Sequence, residues 1–128
     1  MSVKTAVEDS MPPEIPTRSQ FNEITLDIIK NISREFNLSN ITYINLFNNN
    51  LTKIGEISTL INLKILNLSF NMIEEIEGLQ NCNFLIKIDL HNNYLRQIKG
   101  LEGKTQLTYL DVSCNRIDDI RSLDHIKS

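Results

Sequence analysis

The chain has 128 residues, 41% hydrophobic and 23% charged, with 13 Lys+Arg against 16 Asp+Glu and a formal net charge of −3. That length allows one folded domain at most, and the mildly acidic balance lacks the basic stripe of a nucleic-acid surface. No apolar run reaches the roughly 18 residues of a membrane span, and Cys82 and Cys114 lie outside any CxxC pair, which excludes a disulfide framework or a zinc finger.

Residues 1–20 are polar and hold Pro12, Pro13 and Pro16 close together. Such a segment buries too little apolar surface to offset the entropy of ordering it, so a disordered or extended tail is expected. It has no apolar core of a secretory leader and carries Glu8, Asp9 and Glu14, so an intracellular chain is expected. The Asn-x-Ser/Thr triplets at Asn31, Asn37, Asn40, Asn50 and Asn67 then reflect an Asn-rich composition, not glycan acceptors.

The text changes at Ile24. Thr25 offers an N-cap and Asp27 a carboxylate in the first turn, while Ile28, Ile29, Ile32 and Phe36 recur near helical spacing. This predicts one amphipathic helix over about 26–36, ended by Asn37-Leu38-Ser39-Asn40, within an N-terminal helical cap over 24–40.

Four segments of equal length follow: 41–62, 63–84, 85–106 and 107–128. Written under one another they share one apolar frame. The first sets Ile41, Ile44, Leu46, Asn49, Leu51, Ile54, Ile57 and Leu60, and the second sets Leu63, Leu66, Leu68, Asn71, Ile73, Ile76, Leu79 and Cys82. The third and fourth repeat it, with Lys104 standing where an aliphatic residue belongs, a spot expected near the surface or with the side chain snorkelling. Two periods alternate inside each unit. The step of two belongs to a strand, and the step of three belongs to a 3-10 turn. Each unit is therefore one short strand, an Asn turn and a tight return.

A single unit cannot bury its own apolar face. Stacked units can, because each shares ladder hydrogen bonds and core with its neighbours. The Asn column (Asn49, Asn71, Asn93, Asn115) fits the sharp turn after each strand, since an amide both donates and accepts. The helix near 26–36 would cover the first unit. The last unit stops at Ser128, where the register calls for another apolar residue, so a C-terminal cap is expected to be missing: either the chain is a fragment or short isoform of a longer array, or its last strand is left open for association with a partner.

The positions between the fixed ones face away from the core. They give a candidate binding surface of Tyr43, Asn45, Phe47, Ile65, Asn67, Phe70, Lys87, Asp89, His91, Tyr109 and Asp111. Four of the chain's eight aromatics (Phe 5, Tyr 3) fall there, a composition typical of protein interfaces. The sequence shows no Gly-rich phosphate loop and no HExxH, GxSxG or EF-hand pattern. Asp118-Asp119 reads as a solvated charge pair. Asp89 and His91 could in principle act as a general base, but without a nucleophile or pocket they read as contact residues. No catalysis, cofactor or metal is expected.

The pattern L-x-x-L-x-L-x-x-N-x-L at a fixed period is the leucine-rich repeat signature. Its 22-residue spacing, with INLKILNLSFNMIEEIEGLQNCNFL and LTYLDVSCNRIDDIRSL, resembles the subclass found in the regulatory subunit of type-1 protein phosphatase. The opening ITLDIIKNISREFNLSNITYINL is similar to ciliary and centrosomal members such as centriolin, and to a small nuclear ribonucleoprotein subunit. The resemblance implies an α/β solenoid with short parallel strands on a concave face, 3-10 or short helical turns on a convex face and an N-terminal capping helix. It also implies a non-enzymatic module that binds another protein on the concave face, without direct nucleic-acid or membrane contact. The implied setting is a cytoskeletal, ciliary or centrosomal assembly in the cytoplasm. A phosphatase regulatory subunit or a ribonucleoprotein-associated protein, the latter in the nucleus, are its alternatives.

Overall fold

The computed structural model describes residues 22–118. The expectations for the tail (1–20) and for the end of the fourth repeat lie outside the described residues. Helix α1 (Leu26–Ser33) comes first, then a 3-10 turn (Leu38–Asn40). Four three-residue strands follow: β1 (Tyr43–Asn45), β2 (Ile65–Asn67), β3 (Lys87–Asp89) and β4 (Tyr109–Asp111). They form one parallel sheet in the order β1-β2-β3-β4. Tyr43, Ile65, Lys87 and Tyr109 stand in register, as do Asn45, Asn67, Asp89 and Asp111.

The fixed letters are the core. In the first three repeats Ile44, Leu66 and Ile88 are the inward residues of their strands, and Leu46, Leu68 and Leu90 follow them into the interior. In the fourth, Leu107, Leu110, Val112 and Ile117 are half-buried and pack against the same cluster. Backbone bonds extend the ladder past the strands, from Leu46 N–H to Asn67 O (2.9 Å), Leu68 N–H to Asp89 O (2.8 Å) and Leu90 N–H to Asp111 O (2.7 Å). Because each repeat is one strand, a shift of one residue would turn a whole row of Leu to water, so the pattern pins the register.

The return segments are short turns closed by i→i+3 bonds, as the step of three predicts. Leu60 N–H bonds to Ile57 O (3.0 Å), Cys82 N–H to Leu79 O (2.9 Å) and Lys104 N–H to Leu101 O (3.3 Å). In the first and third returns a second such bond follows, from Leu63 N–H to Leu60 O (3.1 Å) and from Leu107 N–H to Lys104 O (3.2 Å), and the apolar residues on either side are held in the core. Lys104, expected near the surface or with its side chain snorkelling, is largely enclosed, at 9% exposure. Its ammonium opposes, without cancelling, the burial that pushes the neighbouring Cys82 thiol above its ordinary 9.0.

Helix α1 starts as predicted. Thr25 Oγ1 accepts from Ile28 N–H (3.3 Å), and Asp27 sits in the first turn, where a carboxylate suits the helix dipole. It ends three residues earlier than predicted. Arg34 adopts the left-handed conformation (φ 58°) and returns its N–H to Lys30 O at 2.8 Å, which closes the helix. Phe36 is thereby excluded from the apolar face and left 82% exposed. Ile29 is fully buried, and Leu26, Ile28 and Ile32 pack on the first repeat.

The cap also uses the chain just before the helix, which sequence reasoning did not assign to any pairing. Ile24 makes a parallel bridge to Gly55, with Ile24 N–H donating to Ile54 O (3.2 Å) and Glu56 N–H donating to Ile24 O (2.8 Å). Gly55 permits this approach: a Cβ there would lie 2.4 Å from Ile24 O, and its φ is +85°.

Candidate protein-binding face

Each strand ends in the same turn, built by the residue that closes it. The Oδ1 of Asn45 accepts from Phe47 N–H (3.2 Å), that of Asn67 from Ser69 N–H (3.0 Å), that of Asp89 from His91 N–H (3.1 Å) and that of Asp111 from Ser113 N–H (3.0 Å). These are Asx turns, in which the side chain substitutes for a backbone acceptor two residues on. Ser69 and Ser113 add their hydroxyls to the same oxygens, at 2.8 and 2.6 Å. The Asn67-x-Ser69 and Asp111-x-Ser113 spacings carry the sequence signal for these turns, whereas Asn67 and Asp111 were expected only on the binding surface.

This changes the standing of one column. Asn45, expected on the exposed surface, is 4% exposed and occupied by its own turn, so it offers nothing to a partner. Asn67, Asp89 and Asp111 are half-buried, each with one face still reachable. Tyr43, Lys87 and Tyr109 are exposed, and Ile65 and Phe47 are half-exposed.

The next column lies beyond the strands. Asn48, Phe70, Asn92 and Cys114 all have φ between 56° and 59°, which marks the left-handed step that turns the chain away from the sheet. Asn tolerates this conformation, whereas a bulky ring does so at a cost. Phe70 nevertheless remains 48% exposed, and its ring reaches back over the sheet end. It meets Phe47 edge-on at 6.1 Å and His91 edge-on at 5.0 Å. His91 Nδ1 lies 2.6 Å from Asp89 Oδ1 and 3.8 Å from Asp111 Oδ2. Lys87 Nζ sits over the Tyr109 ring at 4.7 Å. Phe47, Phe70, His91, Asp89 and Asp111 therefore form one continuous row across the repeats, with Lys87 and Tyr109 beside it.

The electrostatics of the row are set by its own hydrogen bonds. Asp111 is held below the ordinary carboxylate range chiefly by the Ser113 hydroxyl and N–H, with help from His91. The Tyr109 phenol is raised by partial desolvation and then by the Asp111 and Asp89 carboxylates. The Asp89–His91 pair was legible in the sequence, but Lys87 over Tyr109 and Asp111 beside His91 were not, because residues about twenty positions apart become neighbours only when the strands align.

The turn beneath this row is held by the Asn column. Asn71 Oδ1 accepts from Asn49 N–H (2.9 Å) and Leu51 N–H (3.0 Å), and its Nδ2 donates to Leu46 O (3.0 Å) and Leu68 O (2.9 Å). Asn93 and Asn115 repeat the arrangement one and two units on, accepting from Ile73 N–H (2.9 Å) and Leu95 N–H (2.8 Å). Asn49 belongs to the column but has no repeat before it; its Nδ2 donates to Phe47 O (2.9 Å) within its own turn.

This parallel stack of Leu-lined strands joined by Asn turns defines a repeat protein of the leucine-rich class. The leucine-rich repeat family matches the chain twice, over residues 39–81 and 83–125, and the chain belongs to that family. Among solved structures it is similar to an internalin (inlF) from Listeria monocytogenes, at TM-score 0.64 and 22% identity, over 97% of this chain and 32% of that one. It is also similar to internalin C2 (inlC2) from the same organism, at TM-score 0.66 and 24% identity, over 80% of this chain and 42% of that one. The chain thus spans less than half the length of either, and the likeness is one of fold. A search of curated proteins finds no match. Among the described residues no helix is long and apolar enough to cross a membrane.

Proposed function

We propose that this chain is a non-enzymatic module that binds a partner protein on its sheet face, as leucine-rich repeats generally do. The observation that carries the reading is the row Phe47–Phe70–His91, joined ring to ring and left accessible, with Tyr43 and Tyr109 exposed at 40% and 44% on the same sheet. Exposed aromatics spend area that a purely structural sheet would fill with small polar residues, and such residues anchor interfaces. The acidic side chains beside the rings give the surface a polar rim.

The resemblance of the 22-residue repeats and of the opening helix supports a setting in a cytoskeletal, ciliary or centrosomal assembly of the cytoplasm. The test is affinity capture from the native cell with the wild-type chain and with the triple variant Tyr43→Ala, Phe47→Ala, Phe70→Ala. A partner retained by the first and lost by the second, with unchanged far-UV circular dichroism, supports the reading. Equal capture by both sinks it. Recovery of a type-1 phosphatase catalytic subunit, or of a ribonucleoprotein, would replace the cytoskeletal assignment while leaving the face in place.

A further inference from the structure

Asx turns close all four strands, yet the residue that builds them changes from Asn45 and Asn67 to Asp89 and Asp111. The two amides show that the turn needs no charge. The two carboxylates are register partners on adjacent strands, where like charges repel. His91 stands between them. One ligand atom from each of Asp89, His91 and Asp111 lies within 4.8 Å of the others, and all three side chains are half-buried. The arrangement puts two negative charges and one imidazole where the scaffold asks for neither.

We propose that Asp89, His91 and Asp111 hold a divalent transition-metal ion on the sheet face. One imidazole nitrogen and two carboxylate oxygens form a mixed N/O donor set that suits Zn²⁺ and its first-row neighbours over Ca²⁺ or Mg²⁺. Ligands about 2.0–2.1 Å from a tetrahedral ion stand roughly 3.4 Å apart. The Nδ1–Oδ1 distance of 2.6 Å to Asp89 must therefore open slightly, and the 3.8 Å distance to Asp111 must close slightly, both within the reach of side-chain rotation. Binding at Nδ1 requires its proton to move to Nε2 or to solvent, and Asp89 passes from accepting that proton to ligating the ion. Three protein ligands would leave a tetrahedral ion one open coordination position. The proposal does not depend on the partner reading.

The test uses the full chain. Isothermal titration with ZnCl₂ and the visible absorption of the Co²⁺ form are measured for the wild type, the double variant Asp89→Asn, Asp111→Asn, and His91→Ala. The double variant keeps the turn chemistry already present at Asn45 and Asn67, so its metal-free urea midpoint should match the wild type. One equivalent of Zn²⁺ bound by the wild type, with affinity at least tenfold lower in the double variant and in His91→Ala, is the expected result. Absence of saturable binding in the wild type overturns the proposal. A loss of less than tenfold in His91→Ala overturns it too, placing the metal elsewhere on the chain. Should the double variant fail to fold, His91→Ala alone decides.

Discussion

Replacing Asn71 by Ala is the sharpest test of how the repeats are held together. The amide makes five bonds to backbone groups of two different repeats and is 6% exposed. Its removal strands the N–H of Asn49 and the buried N–H of Leu51, and takes one donor from the carbonyls of Leu46 and Leu68. A buried group left unpaired costs about 1–3 kcal/mol. The two N–H groups alone therefore predict a loss of about 2–6 kcal/mol, a large part of the roughly 5–15 kcal/mol that keeps a domain folded. Asn49→Ala is the internal control: it has the same chemistry in the same column but one bond within its own turn, so a loss near 1 kcal/mol is expected. Urea denaturation followed by far-UV circular dichroism measures both. The cross-repeat role of the column is refuted if Asn71→Ala lies within about 1 kcal/mol of wild type, or if the two variants lose the same amount.

Gly55→Ala should destabilise the chain by more than Gly103→Ala, because the first Cβ would meet Ile24 O at 2.4 Å while the second meets nothing within 4 Å, and both share the left-handed strain; comparing their melting temperatures checks this. Native alkylation with iodoacetamide should modify Cys114, which is exposed, and spare Cys82, which is buried with its thiol pKa raised, until denaturant is added; mass spectrometry reads the sites. The same raised thiol has a pH consequence. Above 9.0 the unfolded Cys82 ionises before the folded one, so stability contributed by the neutral thiol is complete below 9.0 and declines as pH rises through the folded value. Cys82→Val should flatten that part of the stability–pH curve, and an unchanged curve would contradict the burial argument. Phe70→Asn should leave stability near wild type, since relief of about 1–2 kcal/mol of left-handed strain offsets about 0.5–1.5 kcal/mol of lost ring contact; partner capture should nonetheless fall.

The repeat frame, the inward row and the Asn column were legible in the letters because each is a one-dimensional property. A residue type that must lie inside recurs at the period of the unit, as Leu46, Leu68 and Leu90 do, and burial follows from repetition. Thr25 and Asp27 were legible for the same reason, since a cap acts within three residues of itself. What the letters left open depends on distances between repeats or on backbone geometry that side-chain type does not dictate. Arg34 in the left-handed region ended the helix and exposed Phe36. Ile24 found Gly55 across thirty-one positions because the glycine lets two backbones touch. Asn45 went inside because its amide serves the turn. The Asp89–His91–Asp111 cluster exists only once β3 and β4 lie side by side, when parallel pairing sets Asp111 next to a residue 22 positions earlier and folds the imidazole between them.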